Sequence, residues 1–226
     1  MADRFQSLFE AILRDDGGRV KELLNQDATL AMTTTPAARY ELKIAHWIYA
    51  GDTALHVAAA GYRVEIARTL LAAGADSGAA RNHRRSQPLH YAADGYLENP
   101  NWAAGRQVQM IELLLDAGAD LHAQDKNGAT PLHRAVRTRC ADAVKFLLDA
   151  GSDATLRNSP GSTPFHLAVQ NTGRGGSGAE KAKAAQREII QAFLERGVSP
   201  TLKDGNGKSV LDWARSDGIR ALLMAK

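Results

Sequence analysis

The sequence predicts an all-α fold in which about six helix-turn-helix units, joined by hairpin loops, stack into a solenoid. A four-residue phrase ending in His occurs four times in the 226 residues. The copies are Thr53-Ala54-Leu55-His56, Gln87-Pro88-Leu89-His90, Thr130-Pro131-Leu132-His133 and Thr163-Pro164-Phe165-His166. Their histidines stand at positions 56, 90, 133 and 166, which gives spacings of 34, 43 and 33 residues. A period near 33 residues that tolerates one insertion of about ten indicates repeated supersecondary units.

Each phrase marks the start of one helix, and the residues after it predict a second. The N-cap position has a side-chain oxygen at Thr53, Thr130, Thr163 and Ser209, and Pro131 and Pro164 follow where a missing N–H costs nothing. Apolar residues then recur at helical spacing and end at a glycine suited to the left-handed position after a helix. These sets are Ile66, Leu70, Leu71 and Gly74; Ile111, Leu114, Leu115 and Gly118; Val144, Leu147, Leu148 and Gly151; and Ile190, Phe193, Leu194 and Gly197.

The phrase and its period resemble the ankyrin repeat, whose signature is Thr-Pro-Leu-His-x-Ala. The resemblance implies that the turn before each phrase forms a protruding hairpin tip and that the first helix of each unit lines a concave groove. It also implies that partners, mostly proteins, bind along that groove. The repeat histidines would bridge backbone groups, so they are poor catalytic candidates.

We predict one domain over residues 1–226. Its parts are an N-terminal capping repeat (1–32), an insertion (33–50), repeat 2 (51–82), repeat 3 (83–127, with an insertion at 95–106), repeat 4 (128–160), repeat 5 (161–206, with an insertion at 171–187) and a C-terminal capping repeat (207–226). The long insertions thus fall in units 1–2, 3 and 5. Residues 179–187 have high helix propensity and are expected to extend the second helix of repeat 5.

Composition and motifs argue against several functional classes. No apolar run approaches the roughly 18 residues of a membrane span, and the first residues lack a secretory signal, so we expect a soluble cytoplasmic protein. A single cysteine, Cys140, provides no disulfide framework, and no cluster of His, Cys or carboxylates predicts a metal site. We therefore predict no catalytic residue and no cofactor. Polar helix surfaces and atypical end units favour a monomer.

Two groups of arginines are the main candidate binding residues. Arg81, Arg84 and Arg85 fall in the hairpin tip before Gln87, and Arg137 and Arg139 fall at the exposed end of the first helix of repeat 4. By the resemblance, Arg85 occupies the usual glycine position of the tip, and Arg139 with Cys140 replaces the usual Gly-His between the helices. Each departure adds a guanidinium where the repeat normally has no side chain.

The insertions supply the remaining candidates: His46 and Trp47 from 33–50, Trp102 and Arg106 from 95–106, and Arg174 from 171–187. We expect these segments to wall part of the groove and to form an electropositive recess. The alternative is that Arg137 and Arg139 only hold acids of neighbouring loops, such as Asp94 or Glu98.

An arginine-rich recess favours an anionic partner, because guanidinium groups bind carboxylate and phosphate with two hydrogen bonds. We predict a non-enzymatic recognition module for a protein or peptide partner, in particular an acidic segment. The alternative is a pocket for a small anionic metabolite, a carboxylate or phosphate, with or without catalytic activity. Nucleic acid is a third class, but 28 basic and 25 acidic residues give a formal charge of only +3, and no recognition motif is present.

Overall fold

A computed structural model describes residues 2–95, 102–171 and 179–225. They belong to two compact units, Met1–Asp120 and Leu121–Lys226. The single domain expected from the sequence stays a prediction. No helix in the described ranges combines the length and the apolar character needed to cross a membrane.

The first unit consists of three helix pairs and a β-hairpin. Its elements are α1 (Ala2–Leu13), α2 (Gly17–Gln26), the 3-10 helix η1 (Ala28–Met32), β1 (Arg39–Glu41), β2 (His46–Ile48), α3 (Ala54–Ala60), α4 (Val64–Ala72), α5 (Pro88–Ala93) and α6 (Ala104–Asp116). Helix α3 packs between α1 and α5, and α4 packs between α2 and α6. The first helices of the pairs thus form one row and the second helices another, with Leu8, Phe9, Leu55 and Leu89 buried in the core.

The second unit repeats this arrangement with three further pairs. Its helices are α7 (Pro131–Arg137), α8 (Ala141–Asp149), α9 (Pro164–Ala168), α10 (Glu180–Glu195), α11 (Val210–Trp213) and α12 (Asp217–Met224). Helix α9 packs against α7 and α11, and α10 packs against α8 and α12. The predicted extension of the second helix of repeat 5 is confirmed, since α10 begins at Glu180.

The predicted helix ends are confirmed. Thr53, Thr130, Thr163 and Ser209 are the N-cap residues of α3, α7, α9 and α11. The glycines that follow the second helices have positive φ angles, from 77° at Gly197 to 94° at Gly151. Glycine is required there because other residues rarely adopt this conformation.

The repeat histidines link a helix start to the next hairpin tip. In His133, Nδ1 lies 2.8 Å from Thr130 Oγ1, and Nε2 lies 3.0 Å from the Ser162 carbonyl. Burial lowers the pKa of His133 to about 4. His56 and His166 make the same kind of link, and burial lowers their pKa as well.

Four of the hairpin tips share a further stabilising residue that was not predicted from the sequence. An Asn or Asp five residues before the N-cap accepts hydrogen bonds from backbone N–H groups of its own tip, as Asp125 does from Asn127 and Ala129 at 2.8 and 3.0 Å. Asn82, Asn158 and Asp204 occupy the same position. The spacing from the N-cap is constant, so this signal was present in the sequence.

Insertion 33–50 contains the β-hairpin, an element that the all-α prediction did not include. Strands β1 and β2 are antiparallel, and Tyr40 lies opposite Trp47. With three residues each, the strands are too short for an alternating pattern to be recognised in the sequence.

Candidate partner-binding surfaces

The hairpin tip before α5, residues 81–86, is the arginine tip. Arg85 has a φ of 53°, whereas glycine occupies the same position of the other tips, with φ of 91° at Gly51, 68° at Gly128, 85° at Gly161 and 78° at Gly207. At Gly51 a Cβ would lie only 2.6 Å from the Arg81 carbonyl oxygen. The sequence-based assignment of Arg85 to the glycine position is therefore confirmed, and its backbone is in the unfavourable left-handed region.

The arginine tip is linked to insertion 33–50 through Tyr49. Arg84 Nη1 donates to the Tyr49 hydroxyl at 3.1 Å, and its guanidinium carbon lies 5.1 Å from the centre of the Tyr49 ring. Tyr49 also contacts His83, with ring centres 5.0 Å apart. No carboxylate of the described residues forms an ion pair with Arg81, Arg84 or Arg85.

One face of the β-hairpin is fixed to the helices of the first unit. Arg39 lies over the Phe9 ring of α1 at 3.9 Å, and Lys43 Nζ lies 3.8 Å from a Glu10 carboxylate oxygen. Ile48 is fully buried. The hairpin therefore rests on the first helices of the pairs, the row that the resemblance assigns to the groove.

His46 belongs to this inward face. Its Nδ1 lies 2.7 Å from the Trp47 carbonyl, its Nε2 lies 3.7 Å from Asp94 Oδ2, and its ring centre lies 4.8 Å from that of Tyr91. Its side chain is only 16% exposed. In this structure His46 holds the hairpin on α5.

The outward face of the hairpin is aromatic. Tyr40 and Trp47 are 45% and 50% exposed, and their ring centres lie 5.8 Å apart. Trp47 is also stacked with Tyr49 at 6.3 Å. We name Tyr40, Trp47, Tyr49, His83 and Arg84 the aromatic–arginine surface. Of its members, Trp47 and Arg84 are binding candidates predicted from the sequence.

In the second unit, Arg139 has a partner that the sequence did not indicate. Its φ is 61°, and its guanidinium donates to the carbonyls of Leu167, Ala168 and Gln170 at 3.3, 3.1 and 2.8 Å. Burial lowers the pKa of Arg139. These carbonyls, rather than acidic side chains, hold Arg139 at the end of α9.

A groove of about 520 Å³ lies beside α7 in the second unit. Its lining includes Asn127, Arg134, Arg137, Asn158 and Ser159. Arg134 Nη2 lies 2.5 Å from Asp125 Oδ2, and both side chains are buried. Burial alone would raise the pKa of Asp125, but the hydrogen bond and charge of Arg134 bring it below its usual value. Asp125 neutralises Arg134, and Arg137 is the exposed arginine that lines this groove.

Repeats 3 and 5, which carry the later insertions, use buried glutamines where their first helices end. Gln107 Nε2 donates to the carbonyls of Ala92 and Ala93 at 3.1 and 3.2 Å, and the half-buried Trp102 donates to Gln107 Oε1 at 3.1 Å. Gln186 binds the Ala168 and Gln170 carbonyls in the same way.

The other binding candidates from these insertions are Arg106 and Arg174. Arg106 is exposed on α6. Arg174 and Glu98 lie outside the described residues. Within the described ranges, no three His, Cys, Asp or Glu side chains are grouped as metal ligands.

Comparisons with known proteins identify the family. A model described as "Ankyrin repeat" matches residues 50–83 and 86–126, and one described as "Ankyrin repeats (many copies)" matches residues 114–168. The crystal structure of EF0377, described as an ankyrin repeat protein, is similar to this one with a TM-score of 0.70 and 25% sequence identity, over 96% of each chain. The chain belongs to the ankyrin repeat family, as its resemblance predicted.

The search of curated proteins gives no match. Ankyrin repeats are generally protein-interaction modules. As 561 solved chains match this one, the fold is too widespread to identify a partner, and only the surfaces of this chain can indicate one.

Proposed function

We propose that this protein is a non-enzymatic recognition module that binds an acidic segment of a protein partner along its ankyrin groove and hairpin tips. The observation that carries the proposal is the arginine tip. Arg85 keeps a strained left-handed backbone where the other tips have glycine, yet its exposed side chain forms no hydrogen bond, ion pair or ring contact with the described residues that would offset the strain. Because no such contact within the described structure offsets the backbone strain of Arg85, its side chain points to a role in binding.

The charges of the tip indicate what it binds. Arg81, Arg84 and Arg85 lie in one short turn, and no described carboxylate forms an ion pair with them. Guanidinium groups recognise carboxylates in bidentate geometry, and the aromatic neighbours supply contact area of the kind found in protein interfaces. An acidic protein segment provides carboxylates for the guanidinium groups and a surface that can pack on the aromatic side chains.

The test uses the full chain and three pools of random peptides of about ten residues with net negative, neutral and net positive charge. Binding is followed by fluorescence anisotropy near 0.1 M salt, where the Debye length is about 10 Å. The acidic pool should bind best, and Arg84→Gln with Arg85→Gln should weaken it about 5- to 30-fold, which corresponds to about 1–2 kcal/mol.

The matched control removes two exposed arginines elsewhere in the first unit, Arg14→Gln with Arg68→Gln. It has the same net charge as the tip variant and should retain binding to within about twofold. Equal losses in both variants would mean that net charge alone attracts the peptides, and the proposal would then fail.

The groove of the second unit favours a second candidate, a site for a small anionic metabolite. Its volume of about 520 Å³ suits a small molecule, and Arg137, Asn127, Asn158 and Ser159 line it with polar groups. Small carboxylates and sugar phosphates should then raise the melting temperature of the wild type but not of Arg137→Gln. A ligand at about one hundred times its Kd adds about 2.7 kcal/mol, so the absence of any shift would exclude tight binding.

A further inference from the structure

The β-hairpin of residues 39–48 carries large apolar side chains on its solvent-facing side as well as on its inward side. Hairpins that pack on a core normally turn apolar side chains inward and polar ones to solvent. Here Ile44 and Ile48 are buried as expected, but the outward Tyr40 and Trp47 are 45% and 50% exposed. Packing of the first unit does not explain why two large aromatic side chains face solvent.

Exposed apolar side chains are concentrated in this segment. Among the described residues, the exposed large hydrophobic side chains are Met32, Tyr40, Leu42, Trp47 and Met224. Four of these five lie between residues 32 and 47, and Leu42, in the hairpin turn, is 84% exposed. Single exposed apolar residues are normal, but a cluster marks an interaction surface.

This apolar cluster is continuous with the arginine tip. From the Arg84 guanidinium, successive ring centres follow at 5.1 Å to Tyr49, 6.3 Å to Trp47 and 5.8 Å to Tyr40. An extended peptide advances about 3.4 Å per residue, so a segment of about five residues spans the path. One short segment can therefore contact both ends of the aromatic–arginine surface.

We infer that the aromatic–arginine surface reads a two-part motif: an acidic residue bound by the arginine tip and, about four residues away, a large apolar side chain packed on Tyr40 and Trp47. The inference rests on the proposed function and specifies the partner. A second copy of this chain is a poor occupant, because it would bring a second arginine tip against the first. The partner is a different protein with an exposed acidic–apolar segment.

The probe is a phage-displayed library of random peptides of about twelve residues, selected on the immobilised full chain. Selection on the wild type should enrich Asp or Glu followed or preceded by Phe, Trp, Leu or Met within about five residues. The same library is selected on Tyr40→Ser with Trp47→Ser, which should enrich acidic residues without the apolar one.

The enriched peptides are then measured individually. Tyr40→Ser with Trp47→Ser should weaken binding at least about tenfold, and replacing the apolar residue of the peptide by Ser should have a similar effect on the wild type. Trp47→Phe should retain most of the affinity. Met224→Ser removes an exposed apolar side chain from α12 and is the matched control that should change nothing. The peptide substitution needs no protein variant, so it decides the matter even if the double variant misfolds.

The outcomes separate the two proposals. Wild-type selection that enriches acidic residues alone overturns the two-part motif, and the proposed function survives if Arg84→Gln with Arg85→Gln still weakens those peptides. Enriched peptides that are not acidic and bind that arginine variant equally overturn the proposed function itself. Selection without enrichment over the bare support overturns both.

Discussion

Replacing Arg85 by glycine should stabilise the first unit and weaken partner binding. The backbone of Arg85 is left-handed at φ 53°, and no hydrogen bond, ion pair or ring contact of its side chain is formed with the described residues. The backbone bond from Arg85 N to the Asn82 carbonyl, 2.9 Å, is retained in the variant. The substitution therefore removes backbone strain and one solvent-exposed guanidinium, and it gives the unfolded chain more conformational freedom.

The expected change in the free energy of unfolding of Arg85→Gly follows from two opposing contributions. A non-glycine residue in the left-handed region costs about 1–2 kcal/mol, and glycine adds about 0.5–1 kcal/mol of unfolded-state entropy. The net gain in the free energy of unfolding is about 0.5–1 kcal/mol. For a chain of this length that corresponds to a rise in melting temperature of about 1–4 °C.

Arg139→Gly is the matched comparison, because Arg139 has nearly the same backbone conformation, with φ 61°. It differs in donating to three carbonyls at the end of α9. Losing these charge-assisted bonds costs about 2–3 kcal/mol, which exceeds the strain relieved, so this variant should be destabilised by about 1–2 kcal/mol. Substitution by glycine is thus expected to raise the free energy of unfolding at Arg85 and to lower it at Arg139.

Urea unfolding of both variants and the wild type measures these changes, and anisotropy with acidic peptides measures binding. If Arg85→Gly is less stable than the wild type, its side chain makes a stabilising contact and the strain argument is wrong. If it is more stable and binds acidic peptides unchanged, Arg85 has no role in recognition.

Three further predictions concern buried polar groups. The pKa of His133 is about 4 in the folded state and about 6.5 in the unfolded chain, so the unfolded chain takes up the proton first as the pH falls. Neutral His133 therefore contributes fully to stability above about pH 6.5, and this contribution is lost as the pH falls toward about 4. Urea unfolding from pH 7 to 4 should show a loss approaching about 3 kcal/mol, and the pH dependence should be weaker in His133→Gln. Tyr91→Phe removes the 2.7 Å bond to the fully buried Asp52 carboxylate and should cost about 1.5–3 kcal/mol; an unchanged urea midpoint would contradict this. Gln107→Ala leaves two carbonyls of α5 without this donor, and a cost of about 1–3 kcal/mol should appear as a lower melting temperature.

The repeat pattern made most of the fold predictable. N-cap residues, closing glycines and apolar spacing act within a few residues of chain, so Thr130, Gly151 and Leu147 could be assigned from sequence alone. The departure at Arg85 was also visible, because every other tip has glycine at that position.

The candidate site was less predictable because its contacts cross long stretches of sequence. Arg84 meets Tyr49 35 residues away, and Arg139 meets Ala168 29 residues away. Neither partner is implied by local spacing. The hairpin insertion lies outside the repeat, so the pattern that placed the helices gave no information on which face Trp47 presents.

The β-hairpin insertion and the arginine tip are two different departures from the repeat, and they form one surface. The Arg84–Tyr49 contact joins them, and it uses a hydroxyl and a ring face that packing of the repeat does not require. The insertion buries Ile44 and Ile48 and places His46 against α5, yet it leaves Trp47 half exposed, which the filling of space would not require. Strain at Arg85 costs stability next to Arg84, at one end of this surface, and exposure of Trp47 costs stability near the other end. A shared ligand explains the two together, whereas sequence drift would have to explain each separately.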